Sequence, residues 1–308
     1  MQLIRGLHNI RPEHRECVAT IGKFDGVHLG HRKILETLRQ QAFELGTKVC
    51  VITFEPQPVE FFLKEDAPPR LSNLREKLDL LSEHHVDQVL CLPFNDKLRG
   101  LSADEFVQKV LVEGLGVQYL IVGDNFRYGC DRNGNFEHLQ AMGEQHDFEV
   151  CDTQTVLLKE DRISSTRIRS AIASNQMDEA ERLSGHPFTM IGRVVKGQQI
   201  GRTLGFPTAN IRIQRRRLPL HGVFAVRVSV SGHRFNAVAN LGIRPSVGGG
   251  KPVLEVHLMD FKSDIYDQTI RVEFVEKIRD EQKFESLEAL RAAIENDIES
   301  ARKIFVSC

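Results

Sequence analysis

A chain of 308 residues is long for a single hydrophobic core, which sets the expectation at two domains. Lys and Arg number 41 against 42 Asp and Glu, so no global field draws the chain to nucleic acid or to an anionic membrane surface, and anionic substrates must be held by local sites. The composition, 41% hydrophobic and 27% charged, is that of an ordinary globular enzyme, and no run of about 18 apolar residues occurs to form a spanning helix.

In chain order, residues 17–22 form a short apolar run that reads as a strand. A helical pattern follows, with Ile34, Leu35, Leu38, Ala42 and Leu45 on one face and Gly46 as its stop. Residues 48–54 read as the second strand, Ser72 opens a helix carrying Leu74, Leu78 and Leu81, and residues 86–92 return to a strand. Ser102 with Glu105 three residues on forms a capping box for the next helix. Residues 117–122 and 149–158 supply further strands, and residues 166–183 one more helix. This alternation predicts a parallel sheet with crossover helices.

After Ser184-Gly185-His186-Pro187 the apolar period changes from about 3.6 residues to 2, which places a domain boundary there and gives domains 1–184 and 185–308. Residues 188–196, 223–230, 234–240, 253–261 and 269–278 read as strands, with Ser231-Gly232 as a tight hairpin turn. Ser286 caps a closing helix bearing Leu287, Leu290, Ile294 and Ile298. Successive strands without intervening helices predict an antiparallel barrel or sandwich. The six cysteines (Cys17, Cys50, Cys91, Cys130, Cys151, Cys308) form no CxxC pair and read as reduced core thiols; with no signal peptide readable at the amino terminus, a cytoplasmic location is expected.

Two motifs in the first half carry chemistry. GKFDGVHLGH, residues 22–31, lies between the first strand and the first helix, where open parallel sheets bind ligands and where helix amides and dipole favour phosphate. Gly26 and Gly30 let the backbone approach a ligand, and His28 and His31 can donate hydrogen bonds to phosphoryl oxygens as charge builds at an α-phosphate under attack. Two histidines three apart also serve as helix caps or metal ligands, but the strand-end position beside both glycines favours nucleotide. ISSTRIR, residues 163–169, enters the last helix of this half. Ser164, Ser165 and Thr166 offer hydroxyls and amides at a helix start, and Arg167 or Arg169 can clamp β- and γ-phosphate oxygens; the alternative is a serine-rich cap followed by solvated arginines.

Together the two motifs resemble the HxGH and ISSTxxR signatures of the nucleotidyltransferase superfamily. With TFEPQP (residues 53–58) and VGDNFRYG (residues 122–129), the resemblance narrows to the FMN adenylyltransferase module of bacterial bifunctional FAD synthetases and covers residues 1–183. It implies ATP binding at Gly22, Phe24, Asp25, His28, Gly30, His31, Ser164, Ser165, Thr166 and Arg167, with His28 and His31 catalytic. It implies flavin binding at Phe54, Pro56, Gln57, Pro58, Asn125 and Phe126. Many family members carry His where this chain has Gln57, which donates a hydrogen bond without charge.

In the second half, GRVVKGQQIGRTLGFPTAN, residues 192–210, combines a strand, a glycine-punctuated loop and a proline-fixed turn. Gly197, Gly201 and Gly205 suit a flexible flap over phosphates, and Thr208 and Asn210 place two oxygen ligands within reach of one Mg²⁺. Together with GVFAVRV (222–228), NLGIRPSVGG (240–249) and LEVHLMDF (254–261), the segment closely resembles riboflavin kinase over nearly all of residues 185–308. The resemblance implies a six-stranded antiparallel β-barrel with a carboxy-terminal helix, Mg²⁺-ATP at Thr208 and Asn210, and further ATP contacts at Gly197, Gly201, Gly205 and Pro207. It also implies riboflavin at Arg244, Pro245 and Ser246, and base catalysis by Glu255. Taken alone, Glu255 also reads as an outward-facing strand glutamate. Ser246 replaces the usual Thr, and Asp267 the usual Gly, whose left-handed geometry Asp tolerates less well. Arg215-Arg216-Arg217 reads as a solvated loop that can also steer phosphates, and His84-His85 as a polar helix end. The combined expectation is a Rossmann-like α/β nucleotidyltransferase domain followed by a barrel kinase domain. Such an enzyme uses ATP and Mg²⁺ to convert riboflavin to FMN and FMN to FAD, with no nucleic-acid or membrane partner.

Overall fold

The computed structural model describes residues 1–123, 125–130, 132–153, 157–158, 161–197, 201, 204–244 and 251–307. They group into two compact units, one of Met1–Pro68 and Lys77–Ser164, the other of Pro69–Glu76 and Ser165–Cys308.

The first unit is built on a six-stranded parallel sheet. Its strands are β1 (Gln2–Arg5), β2 (Cys17–Ile21), β3 (Lys48–Phe54), β4 (Gln88–Leu92), β5 (Val117–Gly123) and β6 (Glu149–Thr153), in the order β1-β4-β3-β2-β5-β6. Strands buried on both faces read as unbroken apolar runs, and alternate residues divide between two cores. Cys17, Ala19, Ile21, Cys50, Ile52, Leu90 and Leu92 enter one; Val18, Val49, Val51 and Val89 enter the other. Helix α1 (Leu29–Leu45) follows β2 and stops at Gly46 with φ 66°. Then come α2 (Pro58–Leu63), α3 (Leu74–Glu83), α4 (Asp96–Arg99), α5 (Ala103–Phe106), which continues as a π-helix over Val107–Leu115, and α6 (Phe136–His146). The strand order reverses between β2 and β5, so the crevice beyond their carboxyl ends is the topological switch point at which open α/β sheets bind ligands.

The second unit opens with α7 (Ser165–Ala173) and α8 (Met177–Ser184). Its strands are β9 (Thr189–Val195), β10 (Ala209–Arg212), β11 (Gly222–Val230), β12 (His233–Arg244), β13 (Lys251–Leu258) and β14 (Thr269–Arg279); they close a barrel in the order β10-β13-β12-β11-β14-β9, antiparallel throughout. Ser231 (φ 50°) and Gly232 (φ 79°) form the hairpin turn between β11 and β12, both in the left-handed conformation that tight hairpins require. The closing helix α9 (Leu287–Ser307) lays Ala301 against Val223, Ala225 and Val238 of the barrel. Ser286 Oγ caps it by accepting the Ala289 N–H at 3.1 Å.

Several expectations need correction. Helix α3 is opened by Asn73 rather than Ser72: Asn73 Oδ1 accepts the Glu76 N–H at 3.0 Å while Glu76 returns the bond to the Asn73 N–H at 2.7 Å. Residues 149–158 are not one strand, because β6 ends at Thr153 and β7 (Leu157–Leu158) pairs instead with β8 (Asp161–Arg162). The single helix expected over 166–183 is two, broken at Asn175, whose left-handed φ of 58° ends α7. Strands β1 and β10 and helices α2 and α6 lie in segments with no clear period. Cys130 is exposed, not a core thiol. Asp267 does adopt the left-handed turn, with φ 64°, while its carboxylate pairs with Arg193 at 3.0 Å. Arg215 is neither solvated nor free for phosphate: it is buried and paired with Glu76.

Candidate active sites

The loop from β2 to α1 carries left-handed backbone at Phe24 (φ 46°), Gly26 (φ 82°) and Val27 (φ 38°). A β-branched residue rarely takes that region, and such backbone persists only where its surroundings over-determine it. Here Phe24 and Val27 are sunk in the core beneath the loop. His28 is the N-cap of α1, and its ring folds back so closely that a Cβ at Gly30 would stand 3.1 Å from the imidazole. Gly22 is under the same restriction from the Phe24 ring, 3.0 Å from its Cβ position. His31 stacks on His28 with ring centroids 3.8 Å apart and on Phe24 at 4.6 Å. Burial, then the charges of His28 and Lys77, hold His31 well below its ordinary pKa, so its imidazole is neutral at pH 7. Its Nδ1 is buried without a hydrogen-bond partner among the described residues. The Ile163 carbonyl, which leads into Ser164, lies 4.0 Å from the Cβ position of Gly30, so the second motif enters beside the first.

The neighbouring strands bring the other predicted segments to the same end of the sheet. β3 ends at Phe54, and Asn125 and Phe126 follow β5, the two strands flanking β2. Gln57 is buried, and its N–H donates to Glu60 at 2.9 Å, while its side-chain Nε2 finds no partner among the described residues. Pro56 precedes it and Pro58 begins α2. Asp25 is buried and Asn125 exposed, whereas Phe126 is half-buried and stacks on Tyr128 with centroids 5.4 Å apart. Ser165, Thr166 and Arg167 open α7 in the second unit. There Arg167 pairs with Glu179 at 2.8 Å, and Arg169 donates to the Pro69 carbonyl at 2.8 Å rather than standing in solvent.

In the barrel, Asn210 of β10 lies opposite Glu255 of β13, which lies opposite Asn240 of β12. Three polar side chains therefore form a row across adjacent strands, on one face of the sheet. A cavity of about 250 Å³ is lined by Thr208, Asn240 and Glu255 together with Gly201, Phe206, Arg279, Phe284 and Asp297. Arg279 makes a two-pronged pair with the buried Asp297, both bonds 2.8 Å, and its guanidinium lies over the Phe284 ring. A second cavity of about 350 Å³ adjoins Pro207 and Thr208 and is lined by Phe261, Lys262, Asp264 and Tyr266. Gly197 is forced, since a Cβ there would fall 2.3 Å from the Asn210 amide; at Gly201 it would fall 2.4 Å from the Phe206 carbonyl and 3.3 Å from the Thr208 hydroxyl. Gly205 takes a left-handed φ of 91°. The Arg244 side chain, Pro245 and Ser246 lie outside the described residues, as does part of the flap at 198–200 and 202–203.

Sequence reading missed Asn240, Lys262, Tyr266 and the Arg279–Asp297 pair. Asn240 heads a quoted motif, but its place beside Glu255 is a matter of strand register, which no local pattern encodes. Among the described residues no cluster of three or more His, Cys, Asp or Glu forms a metal site. The donors offered by Thr208 and Asn210 are neutral oxygens, suited to a hard cation carried in with phosphates.

Comparison with known proteins places both halves. Residues 10–167 match the family model described as FAD synthetase, and residues 184–305 the one described as riboflavin kinase. The bifunctional riboflavin kinase/FMN adenylyltransferase of Pseudomonas fluorescens is 55% identical over 305 residues, 99% of this chain and 98% of that protein. The enzymes of the same description from Haemophilus influenzae and Escherichia coli K12 are each 47% identical, covering 100% and 99% of this chain and 100% and 98% of their own. A solved structure from Streptococcus pneumoniae, described as a macrolide-efflux protein, has a TM-score of 0.82 at 29% identity, covering 98% of this chain and 99% of its own. Among the described residues no helix is long and apolar enough to cross a membrane.

Proposed function

Since the chain belongs to the family of bifunctional riboflavin kinase/FMN adenylyltransferases, and so phosphorylates riboflavin with ATP to FMN and adenylylates FMN with ATP to FAD, we propose which residues perform each step. Residues 1–184 carry the adenylyltransferase and residues 185–308 the kinase. Small molecules are its only partners in this reading, and the near-neutral net charge of −1 supports the absence of a nucleic-acid partner; a cytoplasmic location is read from cysteines without a CxxC pair.

In the kinase, Glu255 takes the proton of the riboflavin 5′-hydroxyl as that oxygen attacks the γ-phosphorus and ADP leaves; a hydroxyl of high pKa needs a positioned base. Thr208 and Asn210 would hold Mg²⁺; the missing Cβ atoms of Gly197 and Gly201 let the Asn210 side chain and the Phe206 carbonyl pack where they do. When bound, the ion neutralises charge on the ATP phosphates. Arg244, Pro245 and Ser246 contact the flavin, and the Arg279–Asp297 pair braces the wall of the cavity that Glu255 also lines.

In the adenylyltransferase, an FMN phosphate oxygen attacks the α-phosphorus of ATP and the bond to the β-phosphate oxygen breaks, releasing pyrophosphate. The attacking oxygen is already anionic, so the site needs charge stabilisation rather than a base. His28 and His31, the latter neutral but still an N–H donor, serve the α-phosphate beside the α1 amides. Ser164, Ser165, Thr166 and Arg167 hold the outgoing phosphates. Gly22, Phe24, Asp25 and Gly30 shape the loop, while Phe54, Pro56, Gln57, Pro58, Asn125 and Phe126 receive the flavin.

The observation that carries this assignment is the placement of the His28–His31 stack in one unit and the Asn210–Glu255–Asn240 row in the other. Its test is a pair of variants assayed for both reactions. Glu255→Gln should slow FMN formation at least about a hundredfold, the lower end of general-base contributions, and leave FAD formation from supplied FMN intact. His31→Ala should do the reverse. Equal loss of both activities in either variant would overturn the assignment.

A further inference from the structure

The loop carrying Asn125 and Phe126 is tied to the scaffold by more than its backbone. Phe126 N–H bonds to the Gly123 carbonyl at 2.9 Å, Tyr128 and Gly134 exchange backbone bonds at 3.1 Å each, and Cys130 N–H reaches the Leu101 carbonyl at 2.8 Å. Among the loop's described residues, Tyr128 has a buried side chain, 7% exposed. Its ring lies nearly parallel to Phe126, with an interplanar angle of 17°, and tilts against Phe106 with centroids 5.5 Å apart. Gly134 passes so close beneath that a Cβ there would stand 2.6 Å from the Tyr128 ring. The phenol oxygen is 2.6 Å from His138 Nδ1, and His138 Nε2 is 2.7 Å from an Asp104 carboxylate oxygen.

Each member of this chain is itself held. His138 sits in the first turn of α6, where Asn135 caps the helix by accepting its N–H at 2.8 Å. Asp104 lies in the first turn of α5, whose start is fixed by the Ser102–Glu105 capping box. Burial and the Asp104 charge push the Tyr128 phenol above its ordinary range, so it keeps its proton and donates to Nδ1. Nε2–H then donates to Asp104, a carboxylate that only accepts, and this selects the tautomer that leaves Nδ1 open. A phenylalanine at position 128 would fill the same space but could not make the bond. Holding an aromatic surface in one plane before its ligand arrives removes an ordering cost from binding.

We propose that Tyr128 and His138, with Asp104 behind them, are a positioning relay that sets the plane of Phe126 for the flavin ring in the adenylyltransferase. The proposal rests on reading Phe126 as a flavin contact. The relay touches none of the reacting atoms, so it acts on FMN binding and not on the transfer step, and it has no part in the kinase.

The test uses the full-length protein with Tyr128→Phe, His138→Ala, the double variant, His138→Gln, Asp104→Asn and Phe126→Ala. KM for FMN and kcat are read in FAD formation, with KM for riboflavin as the control. Tyr128→Phe and His138→Ala should each raise KM for FMN about threefold to tenfold, the loss of one hydrogen bond, with kcat and the riboflavin KM unchanged. The double variant should be no worse than either single one, because both act through one bond. His138→Gln, which keeps an acceptor, should recover part of the loss. Asp104→Asn should have the smallest effect, since that carboxylate is 74% exposed. If Phe126→Ala raises KM for FMN while Tyr128→Phe does not, or if Tyr128→Phe lowers only the melting temperature, the relay is merely structural and the proposal falls. Unchanged FMN binding in Phe126→Ala overturns the flavin reading of that residue, and the proposal with it.

Discussion

His31 shows how much one side chain's chemistry depends on what surrounds it. In sequence it is a surface-type residue three places from another histidine; folded, it is stacked on His28 and Phe24, and burial keeps it neutral. Because its folded pKa lies below the ordinary 6.5, the unfolded chain binds the proton more readily. The resulting stability is fully present above pH 6.5 and is lost as pH falls through that value toward the folded pKa. Urea midpoints of wild type should therefore drop between pH 7.5 and pH 5.5 by more than those of His31→Gln, which lacks this proton. Equal drops would show that His31 is hydrated. Gln57 was legible as a departure from the family pattern, but its burial, with Nε2 lacking a partner among the described residues, appears only in the fold. Asp267 shows the converse, an unfavourable residue that the turn retains, with Arg193 paired to it.

At the scale of elements, the strand with the most functional consequence is the least conspicuous. β10 is four residues, Ala209–Arg212, too short for a period to register, yet it sets Asn210 opposite Glu255 and carries the chain on from Thr208. Its register leaves no room at Gly197 for a side chain. Gly197→Ala should displace Asn210 and lower kinase turnover at least about tenfold, since a displacement of ~1 Å near reacting groups costs on the order of a hundredfold. FAD formation from FMN should be unaffected, and ATP titration of the kinase would show whether the loss is in binding or turnover. Undiminished kinase turnover would mean that Asn210 does not hold the metal. The helices make the opposite point. The apolar spacing of α7 continues into α8, and the left-handed Asn175 with the non-helical Gln176 divides them.

For the molecule as a whole, a deeply buried ion pair joins residues 139 apart in sequence. Arg215 donates to Glu76 at 2.6 Å, also bonds to the Arg70 and Leu71 carbonyls, and lies over the Phe188 ring. Glu76 in turn accepts the Ile191 N–H of β9 at 2.8 Å. The side chains are 1% and 3% exposed, so removing one partner strands a buried charge, at a cost of about 3–5 kcal/mol. Denaturant unfolding of Glu76→Ala and of Arg215→Ala should each show a loss of that size, and Glu76→Leu with Arg215→Met should recover the larger part of it. A fragment 185–308 keeps Arg215 without Glu76, so it should melt below the same fragment bearing Arg215→Met. Additive losses in the double variant would mean that the two charges are not coupled.

What the sequence by itself determined is whatever depends on near neighbours. The alternating period of the first half, the switch to period 2 after Gly185, the stop at Gly46, the Ser231-Gly232 turn and the Ser102–Glu105 capping box are all local, because sterics and hydrogen bonds within a few residues decide them. The glycines and histidines of residues 22–31 belong to the same class, and the His28 ring folding over Gly30 is one such local restriction. Only the tertiary structure decided that β2, β3 and β5 lie side by side, that Asn240 falls beside Glu255, that Arg279 meets Asp297, that Tyr128 meets His138, and that Arg215 is buried. Each of these is a question of strand order, register or packing between distant segments; a one-residue slip of β12, for example, would turn Asn240 to the other face of the barrel.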